Sequence, residues 1–158
     1  MKKHLTKLML IVGLGCSVLF LSCSMDARTG DSFTEDEIHY LKSLGLLDED
    51  ETIILFDSQG SYGKIILSGN FFTNKRIASY WHELEDSSKN QEDFAYYHDI
   101  DTIIPVSSST YLTYASYLEV HKKDGEVFKV YIDADEEGIQ DFFDKAIAEW
   151  RKNKEVAE

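Results

Sequence analysis

The chain has two cysteines, Cys16 and Cys23, and one proline, Pro105. Two cysteines, one of them inside an N-terminal segment that reads as removable, exclude a disulfide framework. One proline and nine glycines in 158 residues exclude collagen-like and low-complexity chains. Also missing are a Gly-x-Ser-x-Gly elbow, a catalytic-cysteine pattern and a phosphate-cradling glycine loop. Basic residues are scarce, 16 against 29 acidic ones, for a net charge of −13. Such a surface repels phosphate backbones and anionic lipid headgroups, so nucleic acid is not an expected partner. What remains is enough for one domain, since a chain of this size buries roughly 70% of its unfolded surface.

Three of those basic residues, Lys2, Lys3 and Lys7, precede a largely apolar run from Leu8 to Leu21. A basic start followed by an apolar stretch is the pattern of a secretory signal, here residues 1–22. The run is shorter than the ~20 residues that a membrane-spanning helix needs. It ends in Leu19-Phe20-Leu21-Ser22-Cys23, which resembles a bacterial lipobox. That resemblance implies lipidation of Cys23 as the mature N-terminus, and hence a cell-envelope protein held on a membrane by acyl chains. Each buried methylene of such chains contributes ~0.8 kcal/mol. Without the three lysines the net charge falls to −16. Residues 23–32 are small, polar and aperiodic, as in a tether.

The expected domain spans 33–151, with 152–158 as a polar tail. Thr34 and Glu37 form a capping box, Phe33 and Ile38 a hydrophobic staple, and Gly45 a stop, which predicts a helix over 35–44. Strands are predicted over 52–57, 62–67, 71–73, 75–81, 100–106, 111–122 and 127–132. The turns between them fall at 58–61, at Ser68-Gly69-Asn70, at 107–110 and at Lys123-Asp124-Gly125-Glu126. In the fourth strand Ile77, Ser79 and Trp81 alternate with Arg76, Ala78 and Tyr80. The acidic stretch 82–97 reads as a solvated loop. Ile139, Phe142, Phe143, Ala146, Ile147 and Trp150 mark one face of a C-terminal helix, with Asp133 and Glu136 as its capping box.

Within this order, Gly69-Asn-Phe-Phe-Thr-Asn-Lys-Arg-Ile77 resembles the Phe-Thr-Asn-x-Arg signature of bacterial pleckstrin-homology-like (PH-like) and GRAM-like domains. Asp50-Glu51 is similar to the start of their first strand. The resemblance covers about residues 50–151. It implies a mainly β, PH-like bent sheet or barrel of seven strands, capped by the C-terminal amphipathic helix, with a short N-terminal helix added. Phosphoinositide-binding relatives carry several basic residues at the first hairpin. Here that hairpin is followed only by Lys64, which argues against an inositide ligand.

Asp133, Asp135, Glu137 and Asp144 partly match a calcium loop around Gly138. Glu137 at the fifth position, Asp144 at the twelfth and Gln140 at the eighth depart from it, and an acid-rich helix N-terminus accounts for the same residues. His82-Glu83-x-Glu85-Asp86 and His98-Asp99-x-Asp101 could offer metal ligands but lack the tight two-histidine spacing of a zinc site. The sequence therefore points to a lipid-anchored, non-catalytic binding module for a protein partner, with no cofactor. The contact surface would be a sheet edge, the stretch 82–97 or the groove beside the last helix. A metal-dependent enzyme or hydrolase using the His/Asp-rich segments, and a structural envelope component, remain the alternatives.

Overall fold

A computed structural model describes residues 27–58, 64–107 and 115–156. Among these residues eight antiparallel strands form two sheets. The first holds β1 (Arg28–Thr29), β2 (Ile53–Asp57), β3 (Ser68–Thr73), β4 (Arg76–Trp81) and β5 (Gln91–Tyr96), in that order. The second holds β6 (Ile100–Val106), β7 (Ser116–Lys122) and β8 (Val127–Ile132). Helix α1 (Glu35–Ser43) precedes β2, and helix α2 (Glu136–Val156) closes the chain. The mainly β, helix-capped architecture is as expected; setting aside the two-residue β1, seven strands are described, but β5 stands among them where a loop was expected and the expected strand 62–67 does not.

The first sheet is covered on both sides, which decides how its strands read. One face joins the second sheet and α2 in a core of Leu55, Phe72, Ile77, Ala95, Leu118, Val130, Phe142, Phe143 and Trp150. The other packs under α1 in a smaller cluster of Leu41, Leu46, Ile53, Phe56, Phe71, Ala78 and Tyr80. Neighbouring residues of one strand therefore point into different cores, as Phe71 and Phe72 do. All six residues of β3 are buried in consequence. In β2 a register shift between Ile53 and Leu55 sends these two residues to opposite clusters. Burying each such side chain contributes about 1.5–3 kcal/mol.

Both helices carry their expected apolar faces, and α1 carries its expected cap. The Glu37 amide donates to Thr34 Oγ1 at 3.3 Å and the Thr34 amide to Glu37 Oε2 at 2.9 Å. Gly45, at φ 72°, ends the turn in the left-handed region. Phe142 of α2 meets Phe72 edge-on, with ring centroids 5.1 Å apart. The β7–β8 hairpin pairs Val127 with His121 and Ile132 with Ser116, around Gly125 at φ 94°. Pro105 sits on β6, which is an edge strand.

Several expectations need correction. Ser68-Gly69-Asn70 is not a turn but the start of β3, opposite Tyr80 and Ser79 of β4. Residues 64–67 form a turn instead of strand; the remainder of that expected strand, 62–63, lies outside the described residues, as do 59–61 of the turn before it. The stretch 82–97 is not one loop, since Gln91–Tyr96 pairs along the whole of β4. Of the expected strand 111–122, Ser116–Lys122 is present and 111–114 lie outside the described residues, with 108–110 of the preceding turn. The expected tether is folded from residue 28, where Arg28 pairs with Phe56 on β2 and binds Glu37 at 2.8 Å. Helix α2 runs on to Val156, through most of the expected tail. Asp133 does not cap it: Asp135 Oδ1 accepts from the Gly138 amide at 2.9 Å, and the Asp133 amide donates to Asp57.

Candidate functional site

The residues of the PH-like motif form a buried polar knot. The Thr73 hydroxyl donates to Glu51 and accepts from the Lys75 and Arg76 amides at 2.9 and 3.0 Å. Asn74 closes the turn by accepting from the Thr52 amide at 2.9 Å. Arg76 is 1% exposed. It lies 2.6 Å from Asp48 Oδ1 and 2.8 Å from Glu51 Oε2, donates to the Gly45 carbonyl, and lies against the Tyr96 ring. Thr73, Arg76 and Glu51 are buried and bound to one another, while Asn74 is exposed and Lys75 reaches outward to Asp50. Through Arg76 and the Gly45 carbonyl the motif holds the β3–β4 turn to the end of α1.

The strand that follows the motif does reach solvent. On β4 the face that is core at Ile77 continues outward to Ser79 and then Trp81; its neighbour β5 contributes Ala95, Asp93 and Gln91 to that face. The second sheet does not cover the outer part, and a groove of about 420 Å³ opens between the two sheets. Its floor is Asn70, Ser79, Trp81, Gln91 and Asp93, and its wall is Val127, Phe128, Lys129 and Tyr131 of β8. Asn70 ties floor to wall, accepting from Ser79 Oγ at 2.8 Å and from the Tyr131 amide at 3.0 Å.

Two exposed apolar residues border this groove, Trp81 at 42% and Val127 at 50%. The Trp81 indole is held by its N–H, which donates to Glu83 Oε1 at 3.1 Å. Asp93 takes part in no hydrogen bond or ion pair among the described residues. Burial and then the neighbouring Glu126 carboxylate raise its affinity for a proton above the usual aspartate range. Lys129, the one cation of the wall among the described residues, lies over the Tyr117 ring on the outer face, 4.3 Å from its centroid. Among the described residues the outer edge of β8 pairs with no strand. Tyr131 sends its amide away from β7, and strand alternation puts the backbone groups of Val127 and Lys129 on that same edge.

The residues singled out from sequence lie elsewhere. Asp135 caps α2, Asp144 accepts from Gln140 at 2.9 Å, and Asp133 and Glu137 are exposed. Asp135, Glu137 and Asp144 border an open, acid-lined hollow at the start of α2. No three metal-binding side chains come together among the described residues. His82 is taken up between Tyr40 Oη at 2.9 Å and Glu92 Oε1 at 2.8 Å, and so ties α1 to β5. His98 lies 3.4 Å from Asp99, and Asp101 is exposed on β6. Cys23 lies outside the described residues. Trp81 and Asp93 carried no sequence signal as a pair. The alternation of β4 put Trp81 on one face with Ser79, but recognising β5 was needed to set Asp93 beside them.

Among the described residues no helix is long and apolar enough to cross a membrane. No family model and no curated protein matches the chain. Among solved structures the chain is similar to a DUF1696 family protein with a pleckstrin-homology domain from Shewanella loihica PV-4, at 18% identity and a TM-score of 0.44, over 77% of this chain and 95% of that one.

Proposed function

We propose that the chain is a lipid-anchored, non-catalytic binding module of the bacterial cell envelope, and that a protein partner docks in the groove between β4, β5 and β8. The observation that carries the reading is the pairing, in one concave site, of an exposed, hydrogen-bonded tryptophan with a strand edge that no described residue occupies as a strand. Exposed aromatic anchors beside unpaired backbone are what a polypeptide partner uses. The address rests on the basic start, the apolar run 8–21 and Cys23.

Crosslinking and pull-down from intact envelopes tests the docking surface. Capture of a partner that is lost in Trp81→Ala, with the variant's melting temperature kept, is the expected result. A capture profile identical for the native chain and Trp81→Ala sinks it. For the address, palmitate label is expected on the native chain and not on Cys23→Ala, and label retained by the variant refutes the anchor.

A further inference from the structure

Resting on that reading, we infer that the partner enters as an extended segment added to the free edge of β8, with a lysine or arginine side chain seated between the Trp81 ring and the Asp93 carboxylate. The two residues are diagonal neighbours on one face, because Trp81 pairs with Gln91 and Ser79 with Asp93. An added strand would satisfy the outward backbone groups of Val127 and Lys129, and its alternate side chains would point down onto the floor.

Charge selects the occupant. Among the described residues Asp93 is the only acid lining the groove, and the two cations near it are committed elsewhere. Lys129 lies on Tyr117, and Lys122 binds Glu126 Oε2 at 2.5 Å. Glu126 lies close enough to Asp93 to disfavour its charge, so a cation arriving there is attracted by both. The Trp81 indole, pinned by Glu83, presents a ring face to the same cation. An anionic segment meets repulsion, and so does a second copy of a chain with a net charge of −13.

The test uses the full chain, a short synthetic peptide of alternating lysine and valine or threonine, and its glutamate-for-lysine counterpart. Titration followed by amide resonances should move Val127, Lys129 and the Trp81 indole with the basic peptide and leave them still with the acidic one. Asp93→Asn should weaken the basic peptide roughly tenfold. Asp101→Asn, an equal change of charge on an exposed residue of β6, should leave affinity unchanged. Equal weakening by both variants means diffuse charge attraction and overturns the inference. So do shifts confined to residues outside the groove, equal binding of the two peptides, no binding of the basic one, or self-association abolished by Trp81→Ala. If envelope capture is lost in Trp81→Ala but unaffected by Asp93→Asn, the cationic strand is wrong and the binding module stands. If capture ignores Trp81→Ala, the binding surface itself is wrong.

Discussion

Arg76 and Glu51 form an ion pair of 2.8 Å with side chains 1% and 0% exposed. Among the described residues Arg76 is the one cation that Glu51 meets, whereas Arg76 also meets Asp48 at 2.6 Å. Removing one partner leaves an uncompensated charge in the core, which costs about 3–5 kcal/mol. Arg76→Ala, which strands Glu51, should lower stability by that amount in chemical denaturation, and Glu51→Ala by less, because Asp48 still pairs with Arg76. The double variant should lose much less than the sum, because neither then strands a charge. Additive losses would mean that the two do not act as a pair.

Gly69 lies in the middle of the first sheet with the Phe56 and Tyr80 rings over its Cα. A Cβ at this position would fall inside contact distance of both rings. Gly69→Ala should therefore destabilise by roughly 1–3 kcal/mol through overpacking, although alanine suits an ordinary strand. A melting temperature equal to the native one would show that the rings move aside freely.

Hydrogen bonds from Arg28 hold the Glu37 carboxyl down to about 2, against an ordinary value of 4.5. A depressed carboxylate adds stability that is complete above the unfolded value and disappears as pH falls through the folded one. The native chain's advantage over Arg28→Met should thus be full above pH 4.5 and fade toward pH 2. Denaturation midpoints of the two proteins across that range check it. An advantage that persists unchanged at the acid end contradicts the ion pair.

The Tyr80 and Tyr97 phenols are buried, and each donates to a backbone carbonyl, of Ile65 and Thr73 respectively. Burial pushes both well above the usual tyrosine value of 10. An acid whose folded value is raised contributes nothing extra once pH passes the unfolded value, and stability falls from there upward. Stability should decline above pH 10, and ultraviolet titration should show these two phenols ionising only with unfolding. Two further phenolates appearing while the chain is still folded would refute their burial.

What could be read from the residues follows from how many faces of each element are buried. Helix α2 and the β7–β8 hairpin were legible because each buries one face, so the period of Ile139 to Trp150 and the turn at Gly125 stand out. In β3 the opposite holds. Phe71 and Phe72 serve different cores, no alternation is left, and Ser68-Gly69-Asn70 has turn composition although two rings, one hydrogen bond to β4 and one to the other sheet need it extended. Strand β5 fails for the reverse reason, as four of its six residues are exposed at a sheet edge. The groove depends on both misread strands, so sequence reasoning could reach its neighbourhood at 82–97 but not Asp93 opposite Val127.

If Cys23 carries the proposed acyl chains, the pairing of Arg28 with Phe56 leaves a short leash between membrane and domain. An acylated Cys23 would be separated from the first sheet residue by five peptide units, which reach at most about 18 Å when fully extended. That is less than the thickness of a small domain. The module could swivel over the bilayer but not stray from it, and a partner able to reach β8 would have to belong to the same membrane or come down to within a few nanometres of it.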